Sequence, residues 1–104
     1  MKSFGEIIRQ AREEKNLILR QVGAELDIDQ AILSKFERGE RKTTKEQVER
    51  FANFYDLNKD ELLIAWLSDK IIYDLENENL AEEALKVAEQ RIKYQRTIKS
   101  NTNE

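Results

Sequence analysis

Just ahead of four apolar-periodic runs, a residue that can cap a helix stands three positions before a Glu or Gln: Ser3 and Glu6, Thr44 and Gln47, Asn58 and Glu61, Asn79 and Glu82. At that spacing each side chain can satisfy a backbone N–H that the first helical turn leaves without a partner, so each pair marks a helix start. The rest of the chain does little to interrupt helices. Proline is absent, glycine occurs only at Gly5, Gly23 and Gly39, and the strong helix formers Glu, Lys, Leu, Gln and Arg dominate. The expected fold class is all-α.

Apolar periodicity fills in the segments. Phe4, Ile7, Ile8 and Ala11 recur at helical spacing behind Ser3, which predicts a first helix stopping near Asn16. Leu19 to Leu26 predicts a short second helix, although Ile18 stands where a capping residue belongs. Asp27-Ile28-Asp29 breaks the pattern, and Asp29 is placed to cap a third helix running through Arg38 and ended by Gly39. Behind Thr44, a fourth helix carries Val48, Phe51, Ala52 and Tyr55 on one stripe.

Behind Asn58, the residues Leu62 to Leu67, Ile71, Ile72, Tyr73 and Leu75 put apolar groups almost all the way round a fifth helix. Such a helix is expected to be buried on more than one side, which a lone monomer could hardly provide. A sixth, behind Asn79, has Ala81, Ala84, Leu85, Ala88 and Ile92 on one face as far as about Gln95. Residues 96–104 are polar and aperiodic, and are expected to form a disordered tail. The expected organisation is a helical domain over 1–63, a helical extension for dimerisation over 64–95, and the tail over 96–104.

Composition narrows the function. At 104 residues the chain supports one core, and the lack of any cysteine or histidine removes thiol nucleophiles, imidazole bases and the usual zinc ligands. The paired acids Glu13-Glu14 and Glu82-Glu83 have no base, metal set or phosphate loop to work with, so no enzyme, metal or cofactor is expected. With no long apolar run near Met1 and no stretch of the roughly 20 apolar residues that a membrane span needs, the expected location is the cytoplasm. The formal net charge is -3, yet from Lys35 to Lys45 five positive residues (Lys35, Arg38, Arg41, Lys42, Lys45) face only Glu37 and Glu40. Charge placement therefore matters more than the sum.

That basic stretch follows the segment Leu17 to Gly39, a short helix, a tight turn at Leu26-Asp27-Ile28, and a helix with Leu33 and Phe36 inward. Gln30, Ala31, Ser34, Lys35 and Arg38 share the opposite face, small or polar as a helix entering a DNA major groove requires. Gly23 lets the two backbones approach.

These residues, with Arg12, Leu17 to Val22, Ile28, Glu37-Arg38-Gly39-Glu40-Arg41, Val48, Phe51 and Leu57 to Leu63, resemble the lambda-repressor-like (Cro/C1, or XRE) transcription regulators over about residues 4–63. The resemblance implies a five-helix DNA-binding domain with a helical extension behind it. It implies an ion pair between Arg12 and Glu37, base contacts from Gln30, Ala31, Ser34 and Lys35, and phosphate contacts from Arg38, Arg41 and Lys42. Two positions depart from the family. Ile18 and Leu19 stand where a polar cap and a phosphate-binding glutamine are common, with Arg20 the expected replacement, and Asp27 occupies a turn position that is often glycine.

The function expected from this reading is a sequence-specific regulator, a repressor acting as a homodimer on a palindromic operator, with recognition helices roughly 34 Å apart. Trp66, Leu67, Ile71, Ile72, Tyr73 and Leu85 are the expected dimer contacts. The alternatives are a DNA-binding antitoxin or protein-binding module whose C-terminal helices cover a partner protein, and the controller of a restriction-modification operon.

Overall fold

The computed structural model describes residues 1–102, and among them six α-helices follow one another with no strand: α1 (Phe4–Glu14), α2 (Leu19–Leu26), α3 (Gln30–Glu37), α4 (Lys45–Tyr55), α5 (Lys59–Leu75) and α6 (Ala81–Thr102). Three of the four capping pairs do what their spacing implies. Ser3 Oγ accepts from the Glu6 N–H at 3.2 Å, and Asn58 Oδ1 from the Glu61 N–H at 2.9 Å. Thr44 Oγ1 accepts from the Gln47 N–H at 3.1 Å, while Gln47 Oε1 accepts from the Thr44 N–H at 2.9 Å. Asp29 Oδ1 caps α3 by accepting from the N–H groups of Ala31 and Ile32, at 2.9 and 3.3 Å.

α2 manages without a side-chain cap at Ile18. Gln21 Oε1 accepts from the Ile18 N–H at 2.9 Å, which supplies the returning half of a capping box from inside the helix. Several helix ends turn through left-handed residues: Asn16 (φ 56°), Asp27 (φ 54°) and Asp56 (φ 56°), with Gly39 at φ 72° after α3. Asn and Asp enter that region more readily than other non-glycine residues, so Asp27 fills the role of a turn glycine.

The last helix differs from expectation at both ends. It begins at Ala81, with the Ala84 N–H donating to the Leu80 carbonyl at 2.9 Å, so Leu80 and not Asn79 precedes the first helical residue. It then passes Gln95 and continues through Thr102, where a disordered tail was expected; residues 103–104 of that tail lie outside the described residues. An aperiodic polar stretch remains helical when nothing in it breaks a helix, and Arg96, Lys99 and their neighbours include neither glycine nor proline. Thr97 Oγ1 also donates back to the Lys93 carbonyl at 3.0 Å.

Two compact units result, Met1–Ile71 and the remainder from Ile72 onward. The first runs past the expected boundary at residue 63. Leu62 is buried, Leu63 and Trp66 pack against the core, and Asp69 Oδ2 accepts from the Phe4 N–H at 3.0 Å, fastening α5 to the start of α1. At the centre of this unit lies Phe51, fully buried, with the rings of Phe4 and Phe36 edge-on at 5.8 and 6.3 Å and that of Tyr55 stacked at 6.2 Å. Ile8, Val22, Leu33 and Val48 are also fully buried, and burial of each such side chain contributes about 1.5–3 kcal/mol.

α5 does not bury its whole circumference. Ile64, Leu67, Ile71, Ile72 and Tyr73 stay exposed. Trp66, expected among the dimer contacts, lies partly against the protein's own core, with Lys70 Nζ 3.6 Å from its ring centre.

Candidate nucleic-acid interface

The α2–α3 pair is held close by backbone approach. A Cβ on Gly23 would stand 2.6 Å from the Ile28 carbonyl oxygen, so only glycine allows the chain to return this tightly after the turn at Asp27. α3 then leaves Asp29 with Leu33 and Phe36 directed into the core. Its other face holds Gln30, Ala31 and Lys35, all exposed, and the half-buried Ser34. Positions 30, 31, 34, 35 and 38 fall on one side of a helix by the 3.6-residue period, and all of them but Ser34 are exposed.

The C-terminal end of α3 is fixed to α1 in two ways. Glu37 is buried, its side chain 4% exposed, and takes both prongs of Arg12: Nε to Oε2 at 2.8 Å and Nη2 to Oε1 at 3.0 Å. The remaining guanidinium nitrogen, Nη1, donates to the Leu17 carbonyl at 2.9 Å, which adds the α1–α2 connection to the same knot. Hydrogen bonding to Glu37 raises the Arg12 pKa above its already high ordinary value, so the guanidinium is always charged. The second fastening is steric. A Cβ on Gly5 would meet the Glu37 and Phe36 carbonyl oxygens at 2.4 and 2.7 Å, so α1 crosses the end of α3 at backbone contact.

Beside this knot the Tyr55 hydroxyl is buried with no hydrogen-bond partner among the described residues. Burial, and then the Glu37 carboxylate, push its pKa up from the ordinary value near 10.

Around the rim of α3 the cations are arranged less uniformly than the family pattern implies. Arg41 and Lys42 are exposed in the segment between α3 and α4, and Arg20 is exposed on the first turn of α2. Arg38 Nε sits 2.6 Å from Glu40 Oε2, both side chains about half exposed.

Two structural residues escaped the sequence reading. Arg50 donates from Nη2 to the Leu26 carbonyl, tying α4 to the turn ahead of α3. Asp69 caps the first N–H of α1 from 65 positions away. No pattern in the sequence marks either one, because both contacts depend on how the helices cross. Among the described residues no cluster of His, Cys, Asp and Glu could hold a metal ion, and no helix is long and apolar enough to cross a membrane.

Comparison with known proteins places this geometry. The family model described as helix-turn-helix matches residues 8–62, which spans α2, α3 and α4 and most of α1. No curated protein and no solved structure matches the chain.

Proposed function

We propose, from the premise that this chain belongs to the Cro/C1-type helix-turn-helix family and is a DNA-binding transcription regulator, that it acts as a sequence-specific repressor, a homodimer on a palindromic operator. The observation that carries the reading is the outer face of α3, where Gln30, Ala31 and Lys35 stand exposed over a helix anchored at Gly5, Arg12 and Gly23. In a major groove Gln30 pairs with an adenine edge, Lys35 donates to guanine O6 or N7, Ala31 meets a thymine methyl, and Ser34 bonds to a neighbouring base. Arg20, Arg41 and Lys42 hold phosphates on either side, and Arg38 joins them by exchanging Glu40 for a phosphate oxygen.

Homodimerisation uses exposed apolar side chains: Leu67, Ile71, Ile72 and Tyr73 on α5, and Leu85 on α6. The two copies of α3 then address half-sites about one DNA turn apart.

Selection of bound duplexes from a random DNA pool tests the reading, with light scattering on the same sample. Recovery of a two-fold symmetric site and a dimer mass is the expected result. Protein that ignores duplex DNA at low ionic strength, or a pool that stays random after several rounds, overturns it.

A further inference from the structure

The end of α3 carries an acid that neither the fold nor DNA binding calls for. Gly39, at φ 72°, turns the chain back on itself, its N–H donating to the Phe36 carbonyl at 3.2 Å and the Glu40 N–H to the Lys35 carbonyl at 2.9 Å. Two nested bonds of this kind close a helix through the backbone alone. Position 40 is thereby held against the last turn of α3, and the Glu40 side chain takes no part in the closure.

Its charge opposes its surroundings in two ways. A carboxylate just beyond a helix C-terminus works against the macrodipole, which favours a base there. It also stands among cations suited to phosphate: from Lys35 to Lys45 the acids are Glu37 and Glu40, and Glu37 is buried in its two-pronged pair with Arg12. Glu40 is the exposed acid of that basic stretch.

The carboxylate engages Arg38, with Oε2 2.6 Å from Nε and each side chain 54% exposed. Position 38 continues the outer face of α3 on which Gln30, Ala31, Ser34 and Lys35 stand. A pair this exposed adds little to folding, so stability does not account for the acid.

We infer that Glu40 is a positioning residue for DNA binding, which keeps the Arg38 guanidinium off phosphate in the free protein and so lowers the sequence-independent part of the affinity. The inference rests on the proposed contact of α3 and its rim with DNA, and assigns the residue that sets the strength of that contact. A phosphate reaching Arg38 displaces a carboxylate and then remains close to it. Part of what the new contact contributes is offset by separating the old pair. Base reading comes from other positions on α3, so preference among sequences is unaffected.

Four full-length proteins test this: wild type, Glu40→Gln, Arg38→Ala and the variant with both changes. Each is titrated at several salt concentrations with a duplex of arbitrary sequence and with the selected operator. Gln preserves the size of the side chain, and the helix closure does not use it. Glu40→Gln is expected to bind both duplexes about fivefold more tightly at low salt, with a slope of log affinity against log salt steeper by up to about one. A carboxylate that merely repelled phosphate would give the same gain whether or not Arg38 were present. Competition for Arg38 predicts a gain of about twofold or less once Arg38 is alanine.

Equal gains in the two backgrounds, or no gain at all, overturn the inference and leave DNA binding in place. A wild-type protein and a Glu40→Gln variant that both ignore duplex DNA at low ionic strength remove the proposed function and this inference together.

Discussion

Arg12 and Glu37, 25 positions apart, meet as a two-pronged ion pair in which Nε and Nη2 of the guanidinium lie 2.8 and 3.0 Å from the two carboxylate oxygens. The pair joins the end of α1 to the end of α3, and both planar groups are used in full. With Glu37 buried and Arg12 largely so, the carboxylate has no solvent to fall back on if its partner is lost.

Arg12→Ala therefore leaves a buried charge unpaired, and is expected to lower unfolding free energy by about 3 kcal/mol in urea titration. Arg12→Lys recovers only part, since an ammonium cannot engage both oxygens and the Leu17 carbonyl with the same geometry. Replacing both partners, Arg12→Leu with Glu37→Leu, is expected to be milder than Arg12→Ala alone, because no charge is left stranded. A double variant worse than the single one would show that the pair is valuable for itself and not merely costly to break.

Gly5→Ala and Gly39→Ala separate two reasons for glycine. At position 5 a methyl group meets backbone oxygens of Phe36 and Glu37 that cannot rotate away, so α1 and α3 must part; a loss of about 2–3 kcal/mol is expected. At position 39 the space around the Cβ is open and only the left-handed φ of 72° resists, which costs about 1 kcal/mol. Thermal melts of the two variants are expected to rank in that order, and Gly5→Ala is expected to weaken DNA binding as well because it shifts the end of α3.

Local signals carried most of the helical plan. Caps at Ser3, Asp29, Thr44 and Asn58 announced α1, α3, α4 and α5, and each is seen holding the N–H that its spacing implied. The Arg12–Glu37 pair was legible only through family resemblance, since nothing local in either residue points to the other. Asn79 misled because the turn after α5 runs on to Leu80, and residues 96–102 misled because helix propensity needs no apolar stripe to act. The cap of α1 by Asp69, the Arg50 contact to Leu26 and the engagement of Arg38 by Glu40 depend on side-chain placement in three dimensions. For the outward face of α3, the 3.6-residue period sufficed.

Lys35→Ala and Arg41→Ala are expected to fail differently on the selected operator. Loss of a base-edge donor at Lys35 costs about 1–3 kcal/mol on the preferred site and relaxes the choice of one base pair. Loss of a phosphate contact at Arg41 weakens preferred and random duplexes alike, and lowers the slope of log affinity against log salt by about one. Titrations at several salt concentrations, on the operator and on a scrambled duplex, distinguish the two. A Lys35→Ala protein with unchanged base preference would remove Lys35 from the reading surface.

Tyr55 links stability to alkaline pH. Burial is the main cause of its raised pKa, Glu37 adds to it, and Arg12 opposes them. A tyrosine whose folded pKa exceeds its unfolded one contributes stability that is complete below about pH 10; the contribution is lost as pH rises further, where the unfolded chain releases the proton and the folded one retains it. Above that point the loss approaches about 1.4 kcal/mol per pH unit for this single group. Tyr55→Phe removes the titrating proton and also a buried hydroxyl that has no partner among the described residues, so at neutral pH the variant is expected to match the wild type or exceed it by about 1 kcal/mol. The gap between the two should then widen in favour of the variant between pH 10 and 11.5, as measured by urea unfolding at fixed ionic strength. Parallel pH profiles for the two proteins would mean that the Tyr55 hydroxyl ionises in the folded state as easily as in the unfolded one, contrary to its burial beside Glu37.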